Sequence, residues 1–247
     1  MSIADKILQL KTDFDEVYDE GYSKSTSDFW DKKQRKGTLA NYSYGFCGTW
    51  TNSMFYPKYN IEPTNCTGMF STFNNNASTE PVMDLVQRLE ECGVKLDTSK
   101  ATTHASMFAY AKISHIGVID TTSAAALSSV FSNARAVITI DKLILKADGS
   151  QTFSSTFTNC VGLKNVLIEG AIGTNIDFQH SPLSTKSIVN IIEHLHTTKS
   201  FTLTLKETAK QSMVFPYTSP ETNVTYNSWD ELIATRTNCT ISLIQEG

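Results

Sequence analysis

Three consecutive stretches of the chain share one pattern: DTSKATTHASMFAYAKISHIGVI (97–119), DTTSAAALSSVFSNARAVITIDKLI (120–144) and DGSQTFSSTFTNCVGLKNVLIE (148–169). Each stretch begins with an aspartate, continues to a Ser-x-Phe element and ends in a run of alternating apolar positions. The phenylalanines Phe108, Phe131 and Phe157 are 23 and 26 residues apart. A period in the twenties with an apolar-x-x-apolar-x-apolar run is typical of leucine-rich repeats, whose units must stack to bury their apolar sides.

The pattern assigns one strand and one interior phenylalanine to each unit. We therefore predict that six residues form the repeat core: Phe108, Phe131, Phe157, Ile116, Ile140 and Val166. The third apolar position of each run falls on Val118, Lys142 and Ile168, so Lys142 breaks the pattern there. Alternate side chains of a strand point to opposite faces, and the three runs are therefore expected to point their apolar residues into one interior.

The segments on either side of these units extend the same architecture. Residues 67–70 resemble another phenylalanine turn, an insertion with helical spacing starts near residues 78–79, and residues 94–96 are predicted as a strand. After residue 180, Ser184 can cap a helix, 201–205 and 241–243 alternate as strands, and Trp229–Ile233 indicates a second helix. The predicted fold is α/β: an irregular leucine-rich-repeat solenoid of about six turns, with an N-terminal helix and helix–strand C-terminal turns.

We divide the chain into an N-terminal helix (1–22), an aromatic-rich cap (23–60), irregular repeats (61–180) and C-terminal helix–strand repeats with a cap (181–247). The first segment has apolar residues at alternating steps of four and three, which is the spacing of a coiled-coil seam. The predicted oligomer interface is Ile3, Ile7, Leu10, Phe14 and Val17. β-branched residues at both seam positions favour a homotrimer, whereas the alternative is an amphipathic helix packed on its own chain.

Residues 22–60 are rich in Tyr, Phe and Trp. Such aromatic density normally buries area, so we expect these residues to cap the open end of the repeat core. A carbohydrate-binding aromatic platform is the alternative interpretation.

Composition excludes some classes of function. The net charge is −4, and without a basic excess the chain is not expected to bind nucleic acid. We find no secretory signal and no apolar run of about 18 residues, so synthesis in the cytosol without a membrane span is expected. The five cysteines are scattered and never occur as Cys-x-x-Cys, which indicates small buried side chains in a reduced protein.

The sequence contains none of the common nucleotide-binding, hydrolase or metalloprotease motifs, and we predict no catalytic residues, metal or cofactor. His194 and His196 are two positions apart, do not share a helix face and are expected to face solvent. His104 and His115 could be combined with Asp120 and Ser106 as a catalytic triad, but we interpret their occurrence in the repeat turns as chance placement. Asp97, Asp120 and Asp148 recur at matching places, where a calcium ladder is conceivable but closure of turns by the side chains is expected.

The Ser-Met-Phe, Ser-Val-Phe and Thr-Phe-Thr-Asn-Cys-x-x-Leu-x-x-Val units resemble bacterial leucine-rich repeats of the BspA type. The opening and closing segments are similar to short members from gut bacteria and their phages. The resemblance implies surface display and adhesion: a phage tail or fibre component in the virion, which binds a bacterial surface glycan or protein. A bacterial adhesion protein on the cell surface, binding host or neighbour proteins, is the alternative, and a carbohydrate-active enzyme is the third class considered.

Overall fold

Two small parallel sheets dominate this computed structural model, which describes Phe55, Pro57, residues 60–72, Thr79 and residues 81–245. The first sheet has the order β1-β2-β3 and contains His115–Asp120, Thr139–Ile144 and Asn165–Glu169. The second sheet has the order β4-β5-β8 and contains Ile176–Phe178, Phe201–Lys206 and Cys239–Ile244. Strands β6 (Tyr217–Thr218) and β7 (Thr225–Tyr226) form an antiparallel hairpin.

The described residues contain four helices, one before β1 and three between later strands. They are α1 (Leu85–Glu91), α2 (Thr185–Glu193), α3 (Glu207–Gln211) and α4 (Trp229–Ile233). Helices and parallel strands thus share one chain, and the predicted α/β class is confirmed. Among the described residues, no helix combines the length and apolar character that crossing a bilayer requires.

A column of stacked phenylalanine rings fills the interior. Ring centroids of Phe70, Phe108, Phe131, Phe157 and Phe178 follow one another at 5.1, 5.5, 5.3 and 4.4 Å. All five side chains are at most 1% exposed. Offset stacked rings add about 0.5–1.5 kcal/mol per pair beyond the area they bury, so the column is a major source of stability.

The backbone around each of these rings has a recurring geometry. Residues two before the ring and two after it have positive φ values between 54° and 58°: Ser106 and Tyr110, Ser129 and Asn133, Ser155 and Asn159. Backbone amides also bond from one turn to the next, because Phe108 N donates to Val130 O at 2.7 Å and Phe131 N to Thr156 O at 2.9 Å. Burying backbone groups requires such pairing, and stacked turns supply it to one another.

The structure buries all six residues of the predicted core, namely Phe108, Phe131, Phe157, Ile116, Ile140 and Val166. The assignment of the third core position is wrong in two strands. Val118 is 51% exposed, whereas Ile119 and Leu143 are fully buried at the positions that Val118 and Lys142 were expected to occupy. The pairing of β2 with β3 shifts between Ile140 and Leu143. Strands β1 and β2 each have two outward residues between their two buried positions, whereas β3 has one. This difference of one residue is that of a β-bulge.

The helix in the insertion before β1 is shorter than the sequence spacing predicts. Helix α1 begins at Leu85 because Met83 forms a parallel bridge with Ile113 and Asp84 caps the helix, accepting from Gln87 N at 3.0 Å. The predicted strand at 94–96 is reduced to a single bridge between Leu96 and Ile61.

The C-terminal prediction is confirmed in its main elements. Ser184 caps α2, β5 covers the alternating segment 201–205, and α4 and β8 follow in the expected order. Strand β4, helix α3 and the β6–β7 hairpin were not predicted. The hairpin is attached to α2 by Glu193, whose carboxylate accepts hydrogen bonds from Ser219, Thr222 and Tyr226 at 2.6–3.0 Å.

Most of the N-terminal predictions fall outside the described residues. This holds for the seam residues Ile3, Ile7, Leu10, Phe14 and Val17, and for nearly all of the predicted aromatic cap. Phe55 is described, is 1% exposed and packs edge-on against Phe70 at 5.8 Å. The cysteines of the described part, Cys66, Cys92, Cys160 and Cys239, are free thiols.

Candidate recognition surfaces

The exposed side of the first sheet lies between two helices. Helix α1 contacts β1 and helix α2 contacts β3. We call this surface the sheet face; its outward residues are His115, Val118, Asp141, Lys142, Asn165, Leu167 and Glu169. Gly117 permits the close approach of α1, since a Cβ there would lie 3.1 Å from Val86 Cγ2. The two helices thereby frame a surface three strands wide.

Helix α2 ends the first sheet by taking the place of a fourth strand. Ser187 Oγ accepts from Val166 N at 2.9 Å. The Asn190 side chain accepts from Ile168 N at 2.6 Å and donates to Ile168 O at 3.3 Å, as a neighbouring strand would. These contacts satisfy edge groups that would otherwise pair with another chain. The sheet face therefore has a fixed width and a rigid border.

His115 connects helix α1, the border of the sheet face next to β1, to strand β2. Its Nδ1 lies 3.3 Å from Asp84 Oδ2 at the start of α1, and its Nε2 lies 2.8 Å from Asp141 Oδ1 on β2. Because both ring nitrogens face carboxylates, the charged imidazolium satisfies both contacts. Partial burial disfavours that charge, but the two aspartates outweigh it, and the pKa of His115 is raised above its ordinary value.

We expect the contribution of His115 to stability to be greatest in mild acid. A raised folded-state pKa adds stability that is fully present below the unfolded pKa of about 6.5 and is lost as pH rises through the folded value. The loss of unfolding free energy caused by His115→Gln should therefore be larger at pH 6 than at pH 8.5, measured by urea unfolding.

The comparison between variant and wild type at each pH is essential, because His104 acts in the opposite direction. Burial lowers the pKa of His104 to about 4, so its contribution is lost as the solution becomes acidic. His196→Gln is the matched control, since His196 Nδ1 is hydrogen-bonded to Thr198 instead of a carboxylate. An effect of His115→Gln that is the same at both pH values would contradict the ion-pair interpretation.

His194 does not face solvent as predicted. Its Nδ1 lies 2.7 Å from Gly170 O, its Nε2 lies 2.9 Å from Glu221 Oε1, and its side chain is 16% exposed. The physical reason is its position at the C-terminal end of α2, where the ring contacts the backbone after β3 and the β6–β7 turn, which contains Glu221, lies against it. Glu221 also accepts from Asn190 Nδ2 at 2.8 Å, and the three side chains fix that loop.

The residues considered for a catalytic triad do not have the partners that a triad requires. His104 is fully buried, whereas His115 contacts Asp84 and Asp141 on the sheet face. The Asp120 carboxylate accepts from Thr122 N at 2.9 Å and Thr122 Oγ1 at 2.7 Å. Burial lowers the pKa of His104, and the backbone and charge of the nearby Asp120 only partly offset this effect. The Asp120 carboxylate is held by Thr122, so these described residues do not form a Ser-His-Asp relay.

The recurring aspartates close turns, as predicted. Asp97, Asp120 and Asp148 accept from the amide two residues ahead at 2.9–3.0 Å, which holds the turn at the start of each unit. Hydrogen bonds from Ser99 and Ser150 lower the pKa of Asp97 and Asp148, respectively. Within the described residues, no group of three His, Cys, Asp or Glu side chains converges on a metal position.

A second surface lies on the second sheet. It is an open groove of about 630 Å³ lined by hydroxyl and amide side chains, and we call it the hydroxyl groove: Thr152, Ser154, Thr174, Asn175, Thr202 and Thr204. Phe153 and Ile176, which are buried, also line it. Sequence alternation predicted strand β5 but not that its outward threonines would line a groove. The outward Thr-x-Thr of that strand was the available signal.

A smaller cavity of about 180 Å³ separates the sheet face from the β6–β7 hairpin. Leu167, Val189, Tyr217 and Pro220 give it apolar walls, and Lys186 and Glu221 are among its charged lining residues. The hairpin therefore borders the sheet face on the side opposite α1.

Comparison with known proteins adds no relative: no protein-family model, no curated protein and no solved structure matches this chain. Function is therefore argued from the residues and surfaces above.

Proposed function

We propose that the chain is an irregular leucine-rich-repeat solenoid of the BspA type. Three features of the described residues support this proposal. The phenylalanine rings stack at steps of 5.1–5.5 Å from Phe70 to Phe157, the strands pair in parallel with the next in order, and the same Asp turn begins successive units. Contacts of this kind join each unit to its neighbours, as expected for a quasi-one-dimensional array.

We infer that the protein recognises a surface and does not catalyse a reaction. The observation that carries this inference is the position of the two insertions. Helix α1 and the β6–β7 hairpin both interrupt the pattern, and they border opposite sides of the sheet face. Insertions in repeat proteins map to one side of the array, which is often the binding side. The sheet face mixes exposed apolar and charged groups, exemplified by Val118 and the 2.7 Å pair of Lys142 with Glu169.

The role proposed is that of a phage tail or tail-fibre component, carried in the virion, that attaches to a bacterial surface glycan or protein. A bacterial surface adhesion protein is the alternative, and the gene neighbourhood distinguishes the two. Tail and lysis genes nearby would favour the phage role, and secretion genes would favour adhesion. A homotrimer through residues 3–18 remains part of the proposal, because three copies of a weak site bind by avidity.

Binding to intact cells tests the recognition role. We expect the fluorescently labelled chain to bind cells of at least one strain in a panel of gut bacteria. Val118→Glu places a carboxylate in the middle of the sheet face and should weaken cell binding about tenfold, since desolvating an unpaired charge at an interface costs more than about 1.4 kcal/mol.

Val161→Glu is the matched control, because Val161 is 38% exposed but is not an outward residue of the sheet face. It should bind cells like wild type. Equal binding of Val118→Glu and wild type would remove the sheet face from the proposal. The absence of binding to every strain would contradict the attachment role itself. Protease treatment of the cells then separates a protein receptor from a glycan.

A further inference from the structure

We propose that the hydroxyl groove is a binding site for an uncharged, extended glycan that crosses the segment 152–154 and strands β4 and β5. This inference goes beyond the proposed function, because it concerns a different surface and names the chemical class of its ligand. It also stands without the attachment role.

The groove offers hydrogen-bonding groups that the protein does not use. The hydroxyls of Thr152, Ser154, Thr202 and Thr204 have no hydrogen-bond partner among the described residues. Each can donate one hydrogen bond and accept two. A ligand that complements such a surface must itself carry closely spaced groups that both donate and accept, which is the defining property of sugar hydroxyls.

The charge of the groove favours a neutral ligand. Asp177 is the ionisable residue of its lining, and its two carboxylate oxygens accept from Gln179 N at 2.8 Å and Gln179 Nε2 at 2.9 Å. The Asp177 carboxylate would repel an anionic ligand. The next cation along β5, Lys206, is not among the residues that line the groove. A cationic ligand would find a carboxylate whose oxygens already accept two hydrogen bonds.

The strands repeat the polar groups at a regular interval. Thr204 is in register with Asp177 on β4 and with Ser242 on β8, and Thr202 is in register with Thr240. Neighbouring strands lie about 4.8 Å apart. This spacing is close to the length of one sugar residue in an extended glycan. A glycan that runs across the strands thus meets a polar side chain on each strand that it crosses.

Two apolar residues are also among those that line the groove. Ile176 and Phe153 are 2% and 5% exposed, so they belong to the packed core next to the hydroxyls. Two hydrogen bonds hold the three segments of the groove together: Thr202 N donates to Asn175 Oδ1 at 2.8 Å, and Thr174 Oγ1 donates to Gln151 O at 2.5 Å. The rows are therefore preorganised, which lowers the entropic cost of binding.

Calorimetric titration of the full chain with defined oligosaccharides tests the proposal. The probes are cellohexaose, mannohexaose, chitohexaose and maltohexaose, with hexagalacturonate as the acidic counterpart and the matching disaccharides as short ligands. We expect at least one neutral hexasaccharide to bind more tightly than its disaccharide, because the groove spans three neighbouring segments of the chain. Thr202→Val with Thr204→Val should weaken that binding about tenfold or more, since two hydrogen bonds are lost.

Two further variants keep the outcome specific. Thr202→Ser with Thr204→Ser retains both hydroxyls and should keep the affinity within about twofold. Thr139→Val removes a strand hydroxyl from the first sheet and should bind like wild type. Melting curves verify that each variant is folded.

Three results would overturn the proposal: no heat with any neutral hexasaccharide, binding of hexagalacturonate alone, or equal affinity of the wild type and the Thr→Val double variant. The result is distinguishable from failure of the attachment role. If the protein binds cells through the sheet face but binds none of these glycans, only the glycan-site proposal is contradicted. If it binds a glycan but no cells, the glycan-site proposal stands and the attachment role is contradicted.

Discussion

Replacing Phe131 by alanine is expected to lower the free energy of unfolding by about 3–5 kcal/mol. Its ring lies between those of Phe108 and Phe157, at centroid distances of 5.5 and 5.3 Å, and it is fully buried. Truncation removes both ring contacts and leaves a void. The turns cannot close over it, because their backbones are hydrogen-bonded to each other on both sides of the ring.

The expected loss is large against a total stability of about 5–15 kcal/mol for a native protein. Urea unfolding followed by circular dichroism measures it as a shift in midpoint. Val118→Ala is the control: Val118 lies in β1 of the preceding unit but is 51% exposed, and its truncation should cost little. A Phe131→Ala protein with the midpoint of the wild type would show that the column does not support the fold.

The phenylalanine column could be predicted because its period is carried by single residues. Phe108, Phe131 and Phe157 each follow a serine by two positions and precede a small residue, Ala or Cys, by three positions. The turn aspartates were predictable for the same reason. An Asp side chain closes its own turn locally, and nothing distant in the chain is needed to decide it.

The outward face of the strands could not be assigned so well. Val118 and Lys142 follow a buried isoleucine by two positions, where strict alternation places a buried residue. The register shift between β2 and β3 moves burial one residue further, to Ile119 and Leu143. A shift of this kind depends on pairing between chain segments about 25 residues apart, so the period of one segment does not contain it.

The candidate surfaces depend on long-range contacts even more strongly. His115 gains its charged role from Asp84 and Asp141, which lie 31 and 26 residues away along the chain. The hydroxyl groove combines residues of β4 and β5 with residues near Thr152. Each component is an ordinary surface residue in the sequence. Only the parallel stacking of turns brings them together.

Substitution of Gly170 by alanine is expected to be nearly as damaging as loss of the Phe131 ring. Gly170 directly follows β3 and has a φ of 94°, which L residues rarely adopt. A Cβ at this position would also lie against the backbone carbonyl of Leu145 in the preceding turn. Backbone strain costs about 1–2 kcal/mol and forced displacement of packed backbone about 1–3 kcal/mol, so the combined loss is about 2–5 kcal/mol.

Two other glycines separate these contributions. Gly93 has a φ of 66° and no atom within 4 Å of a Cβ, so Gly93→Ala measures the backbone strain alone. Gly162 has no positive φ, but its Cβ would lie against Arg135 O, so Gly162→Ala measures the close approach alone. Urea midpoints of the three variants should show Gly170→Ala as the least stable. If Gly170→Ala were no worse than Gly93→Ala, the turn after β3 would have room to move away from Leu145. In that case the close approach of Gly170 to Leu145 would not be what holds the His194 contact with Gly170 O in place.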